Sequence, residues 1–122
     1  RVSPYPQRAD IQQSIKTQYK LTEGRESMIG VTAKLNVAPG QEAAFEEVFL
    51  DLSDAVRANE PGCLLYQLCK DDEGNYIVME MYESEEALAA HGQSEHFKAA
   101  GAGFKGKMAG APEIKRMQAV TR

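Results

Sequence analysis

His91 and His96 are the two histidines of the chain, and with Tyr66, Glu80 and Tyr82 they are the side chains whose types can move a proton. A neutral imidazole, with an ordinary pKa near 6.5, takes a proton from an acidic phenol or enol while tyrosine hydroxyls orient the oxygens of the same molecule. In that reading Glu80 orients or tunes the histidine or the substrate. A plainer reading stands beside it: Glu80 pairs with Lys34 or another cross-strand base, the tyrosines are amphipathic core residues with bonded hydroxyls, and both histidines are helix-end groups. The pair has the form H-x4-H across Gly92. The one further ligand in view, Glu95, adjoins His96 and is poorly placed to share an ion with it, so no metal site is expected. Met79, Met81, Met108 and Met117 serve either as soft core residues or as a thioether wall against a flat aromatic ligand. Asp71-Asp72-Glu73 attracts a cation or, more simply, forms a solvated hairpin tip.

Several chemistries are excluded by what the chain lacks. It has no G-x-G-x-x-G opening a helix after a strand, no phosphate-loop lysine motif and no G-x-S-x-G elbow, so a bound nucleotide or organic cofactor is not expected. Tryptophan is absent, which removes one common haem or base-stacking platform, and the formal net charge of -4 argues against the clustered basic surface that nucleic acids require. No apolar run approaches the ~20 residues that span a bilayer, and the Arg1 end lacks the layout of a secretion signal. At 122 residues with 43% hydrophobic and 26% charged side chains, one soluble domain with a single modest pocket is expected. Cys63 and Cys69 fall on one predicted strand, which holds their Cα atoms ~20 Å apart and rules out a bridge within it. Free thiols fit a reducing cytoplasm.

The elements that must position these residues follow from periodicity. Ile29, Val31, Ala33, Leu35 and Val37 alternate with polar or small neighbours and predict a first strand, ended by Pro39-Gly40. Phe45, Val48, Phe49, Leu52, Ala55 and Val56 form one stripe of a helix stopped by Pro61-Gly62. Cys63 to Lys70 and Tyr76 to Tyr82 predict a hairpin across Asp71-Asp72-Glu73-Gly74-Asn75. Ser84 caps a short helix interrupted at Gly92, and Ser94 opens another running through Phe97, Ala100, Phe104 and Met108. Glu113 to Thr121 is the last strand. Residues 1 to 27 read as a basic extension before a domain of residues 28 to 122, with a short helix carrying Ile11, Ile15 and Tyr19. Met28 fits a native initiator, and the extension fits equally an arm that covers a neighbouring subunit.

The order is β-α-β-β-α-β with a broken second helix: an α+β, ferredoxin-like split sheet. On the third strand Ile77, Met79 and Met81 oppose Tyr76, Val78, Glu80 and Tyr82, so both sheet faces carry large side chains. Two helices cover one face. The other is expected to meet a second copy of the chain and close a dimeric α/β barrel.

Pro61-Gly62-Cys63 with Tyr66, then Glu80-Met81-Tyr82-Glu83-Ser84-Glu85-Glu86-Ala87-Leu88, His91, and Ser94-Glu95-His96-Phe97-Lys98 together resemble the antibiotic-biosynthesis monooxygenase family of dimeric α+β barrel proteins. The resemblance spans about residue 28 to the C-terminus. It implies a homodimer or higher homo-oligomer and oxidation of a small quinol or polyketide with O2, needing neither metal nor organic cofactor. By motif position His91 is the implied base or proton shuttle, Tyr82 and Tyr66 position the substrate, Glu80 supports them and His96 borders the pocket. Phe97, Met79 and Met81 are the remaining candidate substrate contacts. The family usually places Trp where this chain has Tyr82. Haem-degrading relatives use Asn, Trp and His at positions that align here with Ala33, Tyr82 and Gly101, which argues against haem. Two alternatives stay open: relatives that process a phosphorylated autoinducer sugar, which imply an isomerase-like role on a small dicarbonyl, and stress-related binding domains without turnover.

Overall fold

The computed structural model describes Arg8 and residues 27–122. Four strands and three helices follow in the order β1 (Ile29–Leu35), α1 (Glu42–Asn59), β2 (Cys63–Lys70), β3 (Tyr76–Tyr82), α2 (Glu85–Gln93), α3 (Glu95–Gly103) and β4 (Glu113–Gln118). The strands form one antiparallel sheet in the order β2-β3-β1-β4. This is the α+β ferredoxin-like arrangement that the element order predicts. Among the described residues no helix is long and apolar enough to cross a membrane. The helix expected around Ile11 to Tyr19 lies outside the described residues.

The period of two along each strand decides which residues reach the helices. In register, Val31 faces Glu80 and Ala33 faces Val78 across β1 and β3, and Tyr66 faces Glu80 across β2 and β3. All of these sit on the helix-covered face. There Phe45, Phe49, Leu52 and Val56, from one stripe of α1, pack with Ala33, Tyr66, Tyr76, Val78 and Ala100. Ile29, Val31 and Tyr82 form a second cluster against Ala87 and Leu88 of α2. A register shift between Cys63 and Leu65 sets the alternation of β2, so that Tyr66 comes onto the face beside Glu80. Cys63 and Cys69 on that strand are free thiols.

Three turns differ from expectation in instructive ways. The break in the second helical region falls at Ser94 rather than Gly92: α2 runs through Gly92 to Gln93. Ser94 ends α2 and caps α3 at once, its Oγ donating to the His91 carbonyl at 2.7 Å and accepting from the Phe97 N–H at 3.2 Å. The third helix stops at Gly103 instead of reaching Met108. Beyond it, Gly106 takes φ +79 and Met108 bridges to Val37, so the chain turns back onto the end of β1. The last strand ends at Gln118, short of Thr121.

Candidate functional site

Three chain segments bring the site together. The α1 helix ends at Asn59, and Glu60 follows at its C-cap. Gly62 lets this end approach α2 closely, since a Cβ there would lie 2.8 Å from the Ala87 Cβ. His91 is in the last turn of α2 and His96 in the first turn of α3.

The Glu60 carboxylate meets both histidines. Its two oxygens lie 3.1 and 3.0 Å from His91 Nδ1, and Oε2 also accepts from His96 Nε2. A carboxylate can only accept, so each of these ring nitrogens carries a proton. The side chains of Glu60 and His91 are 8% and 6% exposed. His91 also packs at a tilt against Tyr66, Tyr82 and Phe97, with ring centroids 5.0, 5.5 and 5.0 Å away. With Nδ1 committed to Glu60, Nε2 is the nitrogen left to face the cavity that His91 lines.

That cavity has a volume of about 410 Å³ and lies between the sheet and the helices. Its wall is mostly apolar, from Val31, Ala33, Phe45, Phe49, Val78 and Ile114, with Tyr66, Glu80, His91 and Arg116 as its polar groups. Such a lining suits a small, flat, largely apolar molecule gripped at a few oxygens. Burial pushes the Glu80 carboxyl above the ordinary range, against the pull of the Tyr82 hydroxyl, which donates to it at 2.5 Å, and of His91. Burial, then the Glu80 charge, holds the Tyr66 phenol well above its ordinary pKa. The Tyr82 phenol is raised likewise, by burial and by its bond to Glu80. Both tyrosines are therefore neutral donors at pH 7. Burial and the carboxylates of Glu60 and Glu80 push the Cys63 thiol up to about 11.

Of the residues singled out from sequence, Tyr66, Glu80, His91 and Phe97 line the cavity. Tyr82 stands one layer back: fully buried in the cluster with Ile29 and Val31, it reaches the cavity through Glu80. His96 lies beyond Glu60 and lines a separate groove with Val48, Asp51 and Ala100. Met79 and Met81 do not line this cavity. They pair with Thr32 and Gly30 on the opposite sheet face, because alternation turns each the other way from Val78 and Glu80. Lys34 is on that opposite face too and pairs with Glu113, 3.9 Å away, so it leaves Glu80 to Tyr82.

Glu60 and Arg116 escaped the sequence reading. Pro61-Gly62 marks a helix stop, and no motif singles out the acidic residue just before it. Its partners lie 31 and 36 residues away, a separation no local pattern reports. Arg116 forms an ion pair with Glu85 at the cavity rim. Glu60, His91 and His96 offer one ligand atom each, all within 4.8 Å of one another, so the third donor that Glu95 could not supply comes from another helix.

Residues 28–103 match the family described as antibiotic biosynthesis monooxygenase. The chain belongs to that family. In fold and sequence it is similar to a crystal structure from Caulobacter crescentus, named as a candidate antibiotic biosynthesis monooxygenase, with 50% identity, a TM-score of 0.75 and coverage of 86% of this chain and 99% of that one. A conserved protein of Methanosarcina mazei follows at 23% identity and TM-score 0.73, covering 80% and 98% of the two chains. A Mycobacterium tuberculosis protein, Rv0793, stands at 22% and 0.72, covering 79% and 98%. These last two show the shared fold alone. Among curated proteins none matches significantly.

Proposed function

We propose that this family member is a monooxygenase that oxidises a small electron-rich quinol or polyketide phenol with O2 and requires no organic cofactor. One observation carries the reading: His91 lines an apolar cavity while its Nδ1–H is held by the buried Glu60 carboxylate, which leaves Nε2 as the nitrogen for a substrate. That pairing fixes the ring and stabilises the imidazolium that forms when it takes a proton. Tyr66 orients the substrate oxygen, and Glu80, held by Tyr82, supports it from the sheet.

The chemistry then belongs to the substrate. His91 Nε2 removes the phenol proton, and the phenolate passes one electron to O2. The resulting pair combines into a carbon-bound peroxide, which His91 reprotonates. As the O–O bond breaks, the peroxide carbon gives up its hydrogen, leaving a carbonyl and one water. One oxygen atom ends in the quinone and the other in water. Oxygen uptake with a dihydroxynaphthalene-type quinol tests this: consumption should track product one for one. Equal turnover without oxygen overturns it, and activity on a phosphorylated dicarbonyl under anaerobic conditions would transfer the site to an isomerase.

The proposal includes a homodimer. The sheet face away from the helices carries Leu65, Met79 and Met117, each between 43% and 47% exposed, along with Ile77 and Met81. A contiguous apolar face of this kind is the surface that a second copy covers. Sedimentation should give a stable dimer at micromolar concentration, reduced to monomer by Met79→Asp; a monomeric parent protein would remove this part of the reading.

A further inference from the structure

We propose that Glu60, His91 and His96 form a binding site for one divalent transition-metal ion. Among the described residues this is the one set of three potential ligands found close together. Two imidazole nitrogens and a carboxylate oxygen form a donor set suited to ions of the zinc, cobalt or nickel kind, whereas calcium and magnesium take oxygen ligands almost alone.

Position supports this as well as composition. The three donors come from the ends of three elements, α1, α2 and α3, and the exposures of their side chains are 8%, 6% and 18%. At bond lengths of about 2.0–2.2 Å, tetrahedral ligands lie roughly 3.3–3.6 Å apart. The His91 to Glu60 spacing of 3.0 Å is already near that edge. The closer His96 contact opens to it by a small rotation of a side chain in the first turn of α3.

Charge makes the same case. Among the described residues, Lys34, Arg57, Lys98 and Arg116 pair with Glu113, Asp54, Glu95 and Glu85, so none of these ion pairs serves Glu60. A second carboxylate, Glu80, lines the same cavity as His91. A cation would add positive charge beside both carboxylates, whose partners in the structure are the two histidines and the Tyr82 hydroxyl. The ion would take the Nδ1 lone pair of His91 and leave the proton on Nε2, so that the ring meets the cavity as a donor instead of a base. That consequence rests on the proposed function; the site itself does not.

The test uses the whole chain, stripped by chelation and titrated with Co2+ without substrate. One equivalent should bind per chain, with the visible absorption of a low-symmetry cobalt centre and a thermal midpoint that climbs with metal concentration. Glu60→Gln and His96→Asn should each weaken binding beyond the roughly 10–100-fold that loss of a supporting residue costs, while Asp72→Asn at the hairpin tip leaves it unchanged. Should a variant fail to fold, 15N-histidine spectra of the unaltered protein decide the matter, because two histidines give two assignable rings. Cobalt should broaden both. Absent binding at millimolar metal, binding indifferent to both substitutions, or unbroadened histidine signals would each overturn the site.

Discussion

The two faces of the sheet are built from neighbouring residues of the same strands, yet one holds the candidate chemistry and the other none. Along β3, Tyr76, Val78, Glu80 and Tyr82 turn toward the helices, and Ile77, Met79 and Met81 turn away. Val78 is 2% exposed and Met79 is 47% exposed. Both are apolar, so hydrophobicity does not separate them. The difference is what lies opposite: α1 brings four large side chains to the first face, and among the described residues nothing covers the second. The covered face can also hold Glu80, because Tyr82 and the helix ends supply donors in the same layer, whereas the open face offers no enclosure in which a displaced pKa or a dry cavity can exist.

The sharpest way to break this contrast is to remove its one base. His91→Asn keeps a side-chain N–H for Glu60 but loses the basic nitrogen at the cavity, and quinol turnover should fall by roughly 10²–10⁴-fold. Measured oxygen uptake within a few-fold of the parent would show that the covered face has no acid–base role. Next in size is stability. Phe45 is fully buried, stacks with Phe104 at 5.4 Å and meets Tyr76 at a tilt with centroids 4.9 Å apart; Phe45→Ala should cost about 3–5 kcal/mol in urea unfolding. Met79→Ala should change the unfolding of the monomer by less than about 1 kcal/mol, the scale of a surface substitution. A large loss at Met79 under monomeric conditions would erase the distinction between the faces.

Much of this contrast was legible in the sequence. Alternation at Ile29 to Leu35 and at Tyr76 to Tyr82 assigned the strands and put Glu80 and Tyr82 on one face, because a strand's period of two is a local property. Extending the site to Met79 and Met81 ignored that same period, and the structure places both on the other side. Glu60 was not legible. Its role arises where three element ends meet, and such a meeting is set by packing, chiefly by the close approach at Gly62, with no spacing along the chain to announce it. Helix ends were the other weak point: Gly92 looked like a breaker, but the Ser94 hydroxyl, which serves two helices at once, fixes the break.

Gly62 supplies a subtler way to sharpen the comparison, since it governs how the covered face is closed. A methyl group there would meet the Ala87 Cβ at 2.8 Å and the Glu83 carboxylate at 3.0 Å. Gly62→Ala must therefore push the end of α1 away from α2, and should cost about 1–3 kcal/mol by overpacking. The same shift moves Glu60 relative to His91, so turnover should fall more than stability does. An unchanged thermal midpoint would show that the two segments can separate freely.

The smallest effect is at Cys63, where the covered face shades into its own edge. Burial, then the carboxylates of Glu60 and Glu80, raises this thiol from an ordinary 9.0 to about 11, partly opposed by the Leu65 backbone and Tyr82. At neutral pH its thiolate should be about a hundredfold scarcer than in the unfolded chain, a factor of ten for each pKa unit, and alkylation by iodoacetamide slower in proportion. The sign for stability follows from proton binding. Between pH 9 and 11 the folded protein keeps the Cys63 proton while the unfolded chain releases it, so the unfolded state binds fewer protons and stability falls as pH rises through that window. Cys63→Ala should flatten that part of the curve. A parent protein whose Cys63 alkylates at the unfolded rate would show that this edge of the covered face does not shield the thiol from solvent, since burial is the leading cause of its raised pKa.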